Sequence, residues 1–220
     1  MIRHPRQHWG LAVALAALAG FVDAIGFLRL RGFFVSFMSG NSTLLAVGLA
    51  GGSRAAPVAA AAIGCFVLGV VAGSLVAIGT GRHRKAGVLA LVTLALVAAA
   101  LCGERSADAV ATALLASAMG AANTVFQRGG EVSIGVTYMT GTLVKFGQGI
   151  AEALTGGARW RWLPHLLLWG GLVAGAVAGG WLYPLIGMAA LWIAAGGAGL
   201  LCLLALAIGP AEPVTAPTVR

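Results

Sequence analysis

Phe37-Met38-Ser39-Gly40-Asn41 and Tyr138-Met139-Thr140-Gly141-Thr142 are one short phrase written twice, 101 residues apart. Working outward, Gly20-Phe21-Val22-Asp23 faces Gly120-Ala121-Ala122-Asn123 at an offset of 100. Downstream, Gly69-Val70-Val71-Ala72-Gly73 is answered by Gly175-Ala176-Val177-Ala178-Gly179 at an offset of 106, and Gly64 by Gly170 at the same offset. Three landmarks in one order, with slippage confined to connecting segments, point to an internal duplication: residues 9–102 and 109–208. Glycines four apart fall on one helical face, the pattern of close helix packing.

The medium around these repeats follows from composition. Of 220 residues, 60% are hydrophobic and 9% charged, with a mean hydropathy of +0.96. A soluble domain carries about 25% charged residues to keep its surface wet. The chain is therefore expected to be a single integral membrane domain, 1–220, with the lipid bilayer as its first partner. The net charge of +8 does not indicate nucleic acid, because Arg and Lys sit in short clusters between apolar runs, as in membrane loops. Cys65, Cys102 and Cys202 lie singly in apolar runs, and His4, His8, His83 and His165 sit near run ends. Neither pattern has metal-ligand spacing, so no metal and no cofactor is expected.

Eight apolar runs cover 9–28, 33–50, 58–78, 88–102, 109–125, 134–154, 163–186 and 188–208. All are expected to be helical, since lipid leaves backbone groups no external partner. The first run continues past residue 20 without a polar break, so it reads as a retained span and not a cleaved signal. Three prolines in 210–220 predict a disordered tail.

Orientation depends on the two motif segments. If all eight runs cross with the N-terminus inside, Arg3, Arg6, Arg54, Arg105, Arg159, Arg161 and Arg220 are cytoplasmic, 7 against 6 outside. If the motif segments enter and return, Arg3, Arg6, Arg82, Arg84, Lys85, Arg128, Arg159, Arg161 and Arg220 are inside, 9 against 4, with Lys145 uncounted in its motif segment. The second arrangement obeys the positive-inside rule better. It leaves about three spans per unit plus a broken or re-entrant segment, and an odd number makes the two halves inverted.

Within 33–50, Ser39-Gly40-Asn41-Ser42-Thr43 is expected to interrupt the helix, with Asn41 and Thr142 beginning new helical segments near the bilayer centre. Helix starts at that depth aim N–H groups and a positive dipole end at a midplane site, as in many transporters. The competing reading is that the hydroxyls back-bond within continuous helices. Ionisable groups inside a span are costly, which singles out Asp23 and Lys145. Asn123 stands where Asp23 would recur, and Leu44 where Lys145 would. Thr142, Lys145, Gly149 and Glu152 share one helical face. Asp23, Ser39, Gly40, Asn41, Asn123, Thr140, Gly141, Thr142 and Lys145 are the candidate substrate-binding residues. A structural Asp23–Lys145 pair is the plainer alternative.

Gly20-Phe21-Val22-Asp23-Ala24, the Met38-Ser39-Gly40-Asn41 phrase and the second Met-Thr-Gly at Met139 together resemble the YoaK-like bacterial membrane proteins, a domain of unknown function. The resemblance runs over essentially the whole chain, with Ser39 where Thr is expected. It implies a multi-pass protein of the bacterial inner membrane and brings no activity with it.

An enzyme is not expected. A serine hydrolase needs a base at the depth of its nucleophile, and an intramembrane aspartyl protease needs two aspartates, whereas Asp23 is the lone aspartate within a run. A small-molecule or ion transporter or channel fits the paired interruptions best. A membrane scaffold or regulatory protein is the alternative, and association with further copies of the chain stays open.

Overall fold

Eight α-helices follow one another through the residues that the computed structural model describes, 6–105, 107–128, 131–132 and 134–209. They are α1 (Arg6–Arg29), α2 (Met38–Ala50), α3 (Ala55–Thr80), α4 (Arg84–Glu104), α5 (Asp108–Ala122), α6 (Met139–Leu154), α7 (Leu163–Ile186) and α8 (Ala190–Ala207). Each of the eight apolar runs overlaps one of them. The tail 210–220 lies outside the described residues. Three stretches are long and apolar enough to cross a membrane: Trp9–Arg29, Ala55–Glu104 and Leu163–Ile208. The second holds α3 and α4, and the third holds α7 and α8. This is a helical membrane protein.

Lipid tails are as apolar as leucine, so these helices associate by close packing more than by hydrophobic exclusion. The glycines show where. On α7, Gly171 lies against Val13, Gly175 against Ala17 and Gly179 against Phe21, so α1 and α7 run side by side in one direction. On α3, Gly69 lies against Ser117 and Gly73 against Ala121, which sets α3 beside α5 in one direction. A Cβ at Gly175 or Gly69 would strike the backbone carbonyl of the facing helix, so the helices touch backbone to backbone. Helices α4 and α8 pack in opposite directions: Cys202 Sγ donates to the Ala86 carbonyl at 3.3 Å, and Gly103 faces Met188. Leu15, Ile25, Leu89, Leu96, Leu115, Met119 and Leu191 fill the interior between them.

The motif segments differ from expectation in one respect. Ser39–Thr43 does not interrupt anything: α2 is continuous from Met38, and Asn41 sits in its first turn. The break lies earlier, in residues 30–37. There Gly32 takes φ +111, a conformation open to glycine, and the chain folds back until Val35 packs 2.7 Å from the Cβ position of Gly26. Helix α2 then has only 13 residues, about 20 Å at the helical rise and short of a ~30 Å hydrocarbon core. Gly48 near its end meets Ala56 at the start of α3. The end of α1 and the start of α3 share one end of the bundle, where Arg31 and Pro57 line the same cavity. Helix α6 behaves alike, with Gly149 against Trp162 just before α7.

One element is new. A two-stranded antiparallel hairpin, β1 (Gln127–Arg128) and β2 (Glu131–Val132), stands between α5 and α6 with Gln127 opposite Val132.

Candidate functional site

Both motif helices are reached through a turn, and the two turns are held by polar side chains one after the other along the sequence. Ahead of α2, one Asp23 oxygen accepts the backbone N–H of Val35 and of Ser36, both at 2.8 Å. Asn41, with no exposed surface, acts as a side-chain peptide: its Oδ1 accepts from the Phe34 N–H at 3.0 Å, and its Nδ2 donates to the Phe34 carbonyl at 2.7 Å. Buried backbone groups without partners are costly, so these two side chains allow a non-helical turn to sit against α1. Phe34 packs on Phe27 and Phe37 at ring separations of 5.0 and 5.1 Å. Phe37 covers Gly40 at 2.5 Å from its Cβ position.

Ahead of α6 the same places hold weaker acceptors. Asn123 Nδ2 donates to the Met119 carbonyl at 3.0 Å, and its Oδ1 accepts from the Thr137 hydroxyl at 3.1 Å. The Thr142 hydroxyl donates to the Tyr138 carbonyl at 3.1 Å. Tyr138 lies over Gly135, while Gly141 has open space beside it. Here a cavity of about 140 Å³ opens, lined by Trp9, Tyr138, Gly141, Thr142, Lys145 and His165 among others. Trp9 and His165 meet edge to face at 6.0 Å.

The candidate residues therefore divide into two groups, by the turn each one serves. Asp23, Gly40 and Asn41 belong to the first turn; Gly141, Thr142 and Lys145 line the cavity by the second, and Asn123 braces that turn. Helix α2 packs on α3 and α6 on α7. Ser39 and Thr140 are exposed. Asp23 and Lys145 form no ion pair: Asp23 is spent on backbone N–H groups, and Lys145 lies on the α6 face turned toward α7. That face is the one expected from its spacing. Thr142 and Gly149 are buried along it, and Glu152 binds Arg161 at 2.7 and 2.9 Å.

Trp9, Tyr138 and His165 were not legible as site residues. His165 reads as a solvated run end until α1 is placed beside α7. The ion pair between Arg29 and Asp108, joining the end of α1 to the start of α5, also has no sequence signature. Among the described residues no group of three or more His, Cys, Asp or Glu side chains comes together that could hold a metal.

Residues 11–205 match the family model described as "Protein of unknown function (DUF1275)". A UPF0700 transmembrane protein of Rhizobium meliloti (strain 1021) is 36% identical over 196 residues, spanning 88% of this chain and 84% of that protein. No solved structure matches the chain. The match reaches from the first span into the last helix, through both turns, and the chain belongs to the DUF1275 family of membrane proteins.

Proposed function

We propose that the chain is a multi-pass carrier or channel of the bacterial inner membrane, non-enzymatic, that moves a small molecule or ion through two inverted three-span units. The observation that carries this reading is the exchange of contacts between halves. Gly20 abuts Leu172 and Ala176, while Gly120, at offset 100, abuts Phe66 and Val70, each at offset 106 from its counterpart. The pairing of α1 with α7 mirrors that of α5 with α3.

Directions support inversion. Helix α1 is parallel to α7, and α5 to α3. Helix α4 opposes α8 and, through the tight turn at Gly81–His83, opposes α3 as well. Each helix of the first unit thus runs against its counterpart in the second. Helices α2 and α6 are then the re-entrant pair, which leaves six crossings. Arg82, Arg84, Lys85, Arg128, Arg159 and Arg161 fall at one end, and Arg29, Arg31, Arg54 and Arg105 at the other. The richer end is cytoplasmic by the positive-inside rule.

Non-helical backbone at membrane depth is tolerated where protein buries it or where it lines a wet cavity. Both turns border a cavity, the first one of about 400 Å³ lined by Asp23, Phe27 and Phe34 among others and the second one of about 140 Å³. Paired re-entrant helices in inverted units are a transporter arrangement, and the YoaK-like motifs fall on α1 and on the first turns of α2 and α6. The completeness of the hydrogen bonding at Asp23 and Asn41 favours the alternative, a membrane scaffold, for the first half alone. Reconstitution into proteoliposomes decides between them. Swelling or ion flux above protein-free vesicles, across a panel of salts and small neutral solutes, is the expected result. Folded, correctly inserted protein that passes none of the panel would contradict transport.

A further inference from the structure

The second turn differs from the first by a small set of changes that all act on one spot. Taking positions at the offsets of the proposed repeat, Phe34 corresponds to Gly135, Phe37 to Tyr138, Leu44 to Lys145 and Ala59 to His165. In the first half, the Phe34 and Phe37 rings fill the crevice beside Gly40. In the second half the first ring is gone. The second has moved onto Gly135, where its nearest atoms would clash with any Cβ, and Gly141 is left with nothing within 4 Å of its Cβ position. The aromatic plug has become a cavity of about 140 Å³, close to the ~150 Å³ that admits a benzene-sized guest.

Its lining is charged in one sense. Lys145 has no hydrogen-bond or ion-pair partner among the described residues, and the cations of Lys145 and Arg161 both act electrostatically on His165. The carboxylates with described side chains are engaged elsewhere: Asp23 on its turn, Asp108 with Arg29, Glu152 with Arg161, and Glu104 with the Trp192 indole. The Trp9 indole N–H and the Tyr138 hydroxyl also have no hydrogen bond among the described residues. Donors and positive charge without an acceptor call for a bound anion. We propose that the Lys145–His165 cavity binds the oxyanion group of a small anion, with Lys145 as its charge partner and His165 and Trp9 closing its mouth. The idea rests on the transport reading only in treating the cavity as part of the substrate path.

The test is binding in uncharged detergent after lipid removal, read as a melting shift at constant ionic strength. Sodium acetate or sodium phosphate is exchanged for sodium gluconate, whose anion is too large for the cavity. A second arm uses short-chain phosphatidylglycerol against short-chain phosphatidylcholine, so that a free anion and a lipid phosphate are told apart. A saturable shift in either arm is expected, with affinity reduced on the order of tenfold to a hundredfold in Lys145→Leu. His165→Ala should weaken it less, and Arg54→Gln, at the far end of the bundle, should leave it unchanged. Lys145→Leu copies the residue of the other half at an exposed position, so it should fold. No shift in either arm, or an equal shift in Lys145→Leu, would overturn the site. That result with solute flux intact would leave transport standing, and binding without flux would do the reverse.

Discussion

Ahead of α2, Asp23 and Asn41 turn to the backbone: Asp23 to two N–H groups and Asn41 to both sides of one peptide. Ahead of α6, Asn123 and Thr142 each give the turn one bond, at 3.1 Å, and a lysine and a histidine line a cavity. The two segments share a phrase and a place beside the packed helices. What separates them is where the hydrogen-bonding capacity goes. A turn that satisfies itself is a structural clamp; a turn that leaves donors over has them available for a ligand. On the proposed repeat, duplication supplied two equal scaffolds, and divergence spent one on stability and the other on chemistry.

The comparison predicts its largest effects where the halves agree. Gly20→Ala and Gly120→Ala each drive a methyl into a facing carbonyl, and overpacking of that kind costs about 3 kcal/mol or more. Both should lose most folded protein, to similar extents, in detergent melting or size-exclusion recovery. Gly64→Ala and Gly170→Ala meet open space and should hold or gain up to about 1 kcal/mol from helix propensity. Unequal losses at Gly20 and Gly120 would break the equivalence of the seams.

The turns themselves should respond unequally. Asp23→Ala strips two charge-assisted bonds from buried N–H groups and should cost about 3 kcal/mol, with Asp23→Asn recovering roughly half. Asn123→Ala, with one neutral acceptor bond to the turn, should cost about 1 kcal/mol. Comparable melting losses at the two positions would remove the distinction between clamp and open turn.

Exchanging residues between halves gives a smaller signal. Asn41→Thr copies the second half, loses the paired contact to Phe34, and should cost about 1–2 kcal/mol. Lys145→Leu copies the first half and should change stability by less than about 0.5 kcal/mol, because no partner is left behind. A melting drop of several degrees in Lys145→Leu would mean that the lysine is structural.

Much of this was written in the sequence, though unevenly. Apolar runs give all eight helices because lipid makes helix nearly obligatory, and the glycine quartets mark the seams because close approach admits nothing larger. The position of the break was not legible. Gly40-Asn41 looks like a helix breaker, but the Phe37 ring packs on Gly40 and Asn41 turns to Phe34, so the helix runs through both. Asp23 suggested a cationic partner, yet it binds main-chain N–H groups, and backbone partners carry no residue code. His165 gained a role only when the parallel packing of α1 and α7 brought Trp9 to it.

The central claim is that α2 returns to the face it entered from and so does α6. Single cysteines at residues 31, 54, 84 and 159, in a background lacking Cys65, Cys102 and Cys202, report this by labelling with a membrane-impermeant maleimide in oriented membranes. Residues 31 and 54 should label from one face, and 84 and 159 from the other. Labelling of 31 and 54 from opposite faces would mean that α2 crosses the membrane, and the inverted, re-entrant account would be wrong.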